Sequence, residues 1–266
     1  MKLGWSFLDK SQYEEAKRAV KKHIHLTSKM DNKVQFLKGI KLLGVIYNKQ
    51  KQRTKALETY FDGIDILDHL PEDSIFKDLR SRFYNNIAVV YTLQEKYQEA
   101  KNFYLKSKTY IGPRNPSILY NNLGDIEMRL DNLIAAEEYL TLAAATVDSA
   151  DIGLSLVIKS SFTELYTKKG QNQKALSYAY DYTYLANKNG FTEKALYGRQ
   201  LIDTILNGLN LQDQVLFEKI DYKKNKDIET QTDFQSIKER GLRNFIDILL
   251  ILIVLFLGYR LVKTKK

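Results

Sequence analysis

One register written five times constrains this chain more than any other feature, because copies of a short unit stack on one another and do not close around a single core. Ala16, Ala56, Ala100, Ala136 and Ala175 mark the register, at spacings of 36 to 44 residues. Twelve residues before each alanine stands a small residue: Gly4, Gly44, Ala88, Gly124 and, in the fifth copy, Thr163. An apolar residue precedes each of these, namely Leu3, Leu43, Ile87, Leu123 and Phe162. Nine residues before four of the alanines sits an aromatic, Phe7, Tyr47, Tyr91 or Tyr166, and Glu127 breaks that rule in the fourth copy. Repeats of this length predict an all-α array of helix pairs, each burying its apolar face only against its neighbours.

The residue types suit that packing. Small side chains let the two helices of a unit approach closely, and rings such as Tyr47, Tyr60, Tyr91 and Tyr104 fill the space between successive pairs. Polar breaks at Asp9-Lys10-Ser11, Gln94-Glu95-Lys96, Asp131-Asn132 and Lys169-Gly170-Gln171-Asn172 join the helices within units. Pro71, then Pro113 and Pro116, stop one unit before the next begins. Three prolines and 13 glycines in 266 residues fit a helical chain, and the lysines behind the net charge of +9 are spread along it, as solvated helix faces are and a nucleic-acid stripe is not. No cysteine is present, which excludes disulfides, thiol catalysis and Cys-ligated zinc.

The segments YNNIAVVYTLQEKYQEAKNFYLKS (84–107) and YNNLGDIEMRLDNLIAAEEYLTLA (120–143) carry the pattern most clearly. LGVIYNKQKQRTKALETYFDG (43–63), LGWSFLDKSQYEEAKRAVKKH (3–23) and FTELYTKKGQNQKALSYAYDY (162–182) follow it. This register resembles the tetratricopeptide repeat. The resemblance implies a right-handed α-solenoid, with five helix pairs over 1–190, an atypical capping pair over 191–224, and first helices that line a concave groove for a protein or extended peptide. The capping pair is expected as Phe191 to Asn207, a turn at Gly208-Leu209-Asn210, and Leu211 to Lys224.

A second signal lies near the C-terminus. NFIDILLILIVLFLGYRLV (244–262) reaches roughly 28 Å as a helix, enough to cross a bilayer. Tyr259 and Arg260 suit its interface, and a basic tail follows at 263–266. Residues 225–243 read as a polar juxtamembrane stalk. Lys238, Arg240 and Arg243 on one side nearly balance Arg260, Lys263, Lys265 and Lys266 on the other, so charge does not orient the span. No apolar run of signal-peptide length opens the chain, which favours repeats in the cytoplasm behind a tail anchor. A start upstream of Met1 would instead place them outside it.

The chemistry-bearing residues point away from catalysis. His23 and His25 are two apart and face different ways on a helix, and no phosphate loop or nucleotide fingerprint occurs. Glu14-Glu15 and Glu137-Glu138 fall on second helices, where solvated faces are expected. Neither a cofactor nor a metal is implied. The candidate binding residues are Asn85, Asn86, Asn121 and Asn122, two Asn-Asn steps at one place in consecutive first helices. Amides spaced one repeat apart can donate to and accept from an extended backbone. Arg82 and Lys38 precede Asn85 and Lys41 by three residues and supply charge for an acidic partner. The family's carboxylate clamp is matched at Lys41 and Asn86 but not at Val45, Ile118 or Asn122. The leading expectation is a membrane-anchored scaffold. The alternative is the sensory half of a signalling receptor whose output domain is absent or on another chain. A third, architectural likeness is to the much smaller tail-anchored mitochondrial fission adaptor.

Overall fold

The computed structural model describes residues 1–111 and 115–209. The chain divides into two units, Met1–Arg199 and Gln200–Lys266. Five helix pairs occupy the first: α1 (Lys2–Asp9) with α2 (Tyr13–Lys29), α3 (Lys33–Lys49) with α4 (Arg53–Asp68), α5 (Ser74–Leu93) with α6 (Tyr97–Thr109), α7 (Ser117–Arg129) with α8 (Leu133–Thr146), and α9 (Ile152–Lys168) with α10 (Asn172–Lys188). A further helix, α11, spans Thr192–Asn207. The expected partner of α11 at Leu211 to Lys224, the stalk, the span at Asn244 to Val262 and the linker residue Pro113 lie outside the described residues. Among the described residues no strand occurs, and no helix is long and apolar enough to cross a membrane.

The same local chemistry closes each pair. Ser11, Lys51, Glu95, Asp131 and Gly170 adopt left-handed backbone at φ 57°, 60°, 61°, 62° and 67°. The next residue's N–H then reaches back to the carbonyl of Phe7, Tyr47, Tyr91, Glu127 or Tyr166, at 2.8 to 3.0 Å. These are Schellman turns, which satisfy carbonyls that the end of a helix leaves without partners. The aromatic place in the repeat is therefore the third residue from the end of each first helix. Between pairs, Asn32, Asp73 and Asp151 cap α3, α5 and α9 by accepting from backbone N–H groups.

Within each pair the small residue faces the side chain four residues after the register alanine. A β-carbon on Gly44 would stand 2.3 Å from Cε1 of Tyr60, and one on Gly124 would stand 2.7 Å from Cγ of Leu140. Ala88 shares a buried cluster with Tyr104 in the third pair. In the fifth, the bulk moves across, with Thr163 on the first helix and Ala179 on the second, both buried. Buried clusters bridge successive pairs, one over α1–α3, one over α3–α5 and one over α5–α7, and in the second Tyr60 meets Phe83 of the next pair edge-on, with ring centroids 6.2 Å apart.

Polar contacts also lock neighbouring pairs. Glu127 is buried, accepts from Nζ of Lys101 on α6 and is bonded by Nδ2 of Asn132 at 3.0 Å. The broken aromatic rule thus marks a buried ion pair. Glu137 was expected on a solvated face, yet it accepts the Tyr166 hydroxyl at 2.7 Å and pairs with Lys169 of the next repeat. Only Glu138 of that pair of carboxylates is exposed. The buried Arg80 guanidinium bonds Asp68 and donates to the Leu67 carbonyl at 2.7 Å.

Candidate functional site

First helices pack side by side, α1 on α3, α3 on α5 and α7 on α9, and Asn122 of α7 reaches Asn85 of α5, so residues at one register line up along these helices. Two recesses open on the face of these helices and share Lys41 and Arg82. The larger, about 510 Å³, lies among α1, α3 and α5, with Trp5, Ile75 and Leu79 as apolar wall and Lys38, Lys41, Asp78 and Arg82 as charged groups. The smaller, about 180 Å³, is bounded by Asn85 and Asn86 of α5 and by Ile118 and Leu119 of α7. Apolar surface stays open to solvent on this face, since Ile75 is 54% and Ile118 56% exposed.

Five of the seven candidates, Lys38, Lys41, Arg82, Asn85 and Asn86, line these recesses. Arg82 donates from Nε to Asp78 at 2.8 Å, an i,i+4 pair on α5. That leaves three cations against one carboxylate around the larger recess. The Asn86 amide meets the Tyr60 hydroxyl, and burial pushes that phenol far above its ordinary range, so it stays neutral. Asn122 donates from Nδ2 to Oδ1 of Asn85 at 3.2 Å, tying α7 to α5 across the repeat boundary. The amides of consecutive repeats are thus within reach of one another, although 37 residues apart in sequence. Asn121 departs from the expected display. Only 7% of it is exposed, it lines neither recess, and its Oδ1 is buried without a hydrogen-bond partner. Asn121 and Asn122 are adjacent on a helix, so they diverge by about 100°, and only one of them can look along the face.

Trp5, Ile75 and Asp78 were missed by sequence reasoning. Trp5 directly follows the small residue Gly4, a place held by Val45, Val89, Asp125 and Glu164 in the other repeats. That register was a usable signal for the face. Ile75 and Asp78 lie in the first turns of α5, where only the packing of α5 against α3 and α1 decides what they border. Along the same register the far end of the face is anionic. Asp125 and Glu164 both approach Arg129, at 3.5 and 3.8 Å. His23 meets the Gln35 carbonyl at 3.1 Å, and among the described residues no group of three or more His, Asp or Glu is placed to hold a metal.

The family model of the tetratricopeptide repeat matches residues 81–110. No curated protein matches the chain in sequence. Among solved structures, BtubC (BKLC) from P. vanneervenii is similar at TM-score 0.56 and 17% identity, over 76% of this chain and 93% of that one. TTC0263, a tetratricopeptide-repeat protein of Thermus thermophilus, gives 0.54 and 16% over 76% and 96%. The apo form of RapI gives 0.60 and 16% over 88% and 67%. Identities this low speak to the fold alone. The described chain is an all-α stack of helix pairs with the fold of tetratricopeptide-repeat solenoids, and residues 81–110 carry that family's repeat.

Proposed function

We propose that the chain is a membrane-anchored scaffold that holds a protein segment in extended form along the face of its first helices. The observation that carries this reading is the pair of adjoining recesses, where backbone-reading amides (Asn85, Asn86) stand beside cations (Lys38, Lys41, Arg82) and exposed apolar side chains. A polar, amide-lined face binds through main-chain hydrogen bonds, and neighbouring pockets select side chains. Asn122 joins the site through its bond to Asn85, and Asn121 is buried beside it. Anchoring rests on the apolar segment at 244–262, whose length suits a bilayer.

Two experiments test the two halves. A photo-crosslinking side chain in place of Ile118, on the face, should capture a partner in intact cells, and one in place of Glu138, on an exposed second-helix surface, should not. Adding Asn85→Ala, Asn86→Ala and Asn122→Ala should abolish capture with helicity unchanged; capture that survives defeats the groove reading. For anchoring, the full chain should stay with membranes through alkaline carbonate extraction, and deletion of 244–262 should release it. Protease protection of the repeats in intact cells then separates a cytoplasmic scaffold from an outward-facing sensory domain.

A further inference from the structure

We infer that the recess among α1, α3 and α5 takes a large apolar side chain of an extended protein segment whose neighbouring residues are acidic. The inference rests on the groove reading above and names the partner's chemistry. Its apolar wall is Trp5, Ile75 and Leu79, and about 510 Å³ is ample for one phenylalanine or leucine side chain with accompanying backbone. Burying such a side chain removes a large apolar surface from water, which makes the recess the natural anchor of an otherwise polar face.

Charge sets the neighbours. Lys38, Lys41 and Arg82 line the recess together with one carboxylate, Asp78, so an incoming carboxylate meets a net positive rim and an incoming lysine meets repulsion. Arg82 uses its Nε on Asp78, which leaves the guanidinium's other N–H groups to face a ligand. The opposite end of the same face carries Asp125 and Glu164 around Arg129. An acidic segment is therefore steered to the α1–α3–α5 end, where its apolar residue finds the recess. The neutral amides of Asn85 and Asn86 continue from the rim and can serve its backbone. Recognition of this kind needs no free C-terminus, consistent with the incomplete carboxylate-clamp pattern.

The chain has one tryptophan, Trp5, and it stands in this recess, so its emission reports occupancy directly. The test uses the full chain in a nonionic detergent and three acetylated, amidated heptapeptides centred on Asp-Phe-Glu, Lys-Phe-Lys or Asp-Ala-Glu, each flanked by Gly-Ser. The first should shift Trp5 emission to shorter wavelength in a saturable way, and the other two should bind at least tenfold more weakly. Lys38→Glu with Lys41→Glu should make Lys-Phe-Lys the better ligand, and Ile75→Ala should weaken Asp-Phe-Glu severalfold. Equal binding of the acidic and basic peptides, an order unchanged by the double reversal, or no Trp5 response to any peptide overturns the inference. If the crosslinked partner is still lost on alanine substitution of the asparagines, the groove reading survives that failure; if it is not, both fall.

Discussion

Replacing Lys101 with methionine should destabilise the repeats far more than a surface lysine normally would. Glu127 is 2% exposed, and its carboxylate is held by Lys101 Nζ at 2.9 Å and by Asn132 Nδ2 at 3.0 Å. Methionine keeps the aliphatic stem of lysine but removes the ammonium, so the carboxylate stays buried with only the Asn132 amide. Breaking a buried pair from one side costs about 3–5 kcal/mol. The Lys101 side chain is one quarter exposed, so water can partly replace it, and about 2–3 kcal/mol is the better figure here. In a domain of this size that lowers the midpoint by about 5–10 °C. Adding Glu127→Tyr, which restores the aromatic of the other four repeats, removes the stranded charge and should recover most of the loss. Its ring occupies the place that Tyr91 and Tyr166 fill in their own repeats. Urea denaturation followed by far-ultraviolet circular dichroism on the four members of this cycle measures the coupling. A Lys101→Met loss below about 0.5 kcal/mol, the level of exposed pairs, would refute the burial argument. So would a double variant no more stable than the single one.

Three further outcomes follow from the same geometry. Lys51→Gly and Glu95→Gly place glycine where the backbone is left-handed, as Gly170 already is, and each should raise the urea midpoint by the equivalent of about 0.5–1 kcal/mol, additively. A lower midpoint would show that these turns are not strained. Gly63→Ala should cost about 1–3 kcal/mol, because its β-carbon would stand 2.3 Å from Cε1 of the fully buried Phe83; crystallography of the variant would show that ring displaced. Hydrogen bonds from Lys169 and then Tyr166 hold the Glu137 carboxyl below its ordinary 4.5. Its contribution is therefore present above that value and disappears as pH falls through the lowered folded value, so the wild type should lose more stability below pH 4.5 than Glu137→Gln does. Parallel pH–stability curves would remove Glu137 from the repeat interface.

The five registers were legible in the sequence because packing inside a pair is local. Gly44 and Tyr60 lie 16 residues apart, and each small residue is read together with the bulk it faces. The turns were legible as polar breaks, although their left-handed residues are mostly Ser, Lys, Glu and Asp, which do not advertise that conformation as glycine does. Contacts between repeats were not legible. Lys101 and Glu127 are 26 residues apart, Glu137 and Lys169 are 32, and nothing in either pair's spacing declares which charges meet.

The same division holds along the face of the first helices. Sequence alone determined that first helices repeat, that two Asn-Asn steps share one register, and that a bilayer-length apolar segment stands at 244–262. Tertiary structure decided which of those side chains look outward. Stacking α5 beside α3 and α1 gathers Lys38, Lys41 and Arg82 around Trp5 and Ile75, and stacking α7 beside α5 turns Asn122 toward Asn85 while burying Asn121. A helix sequence specifies the angles between its own side chains. The rotation of one helix against its neighbour is set by side chains from several repeats at once, and it alone determines which of two adjacent asparagines looks outward.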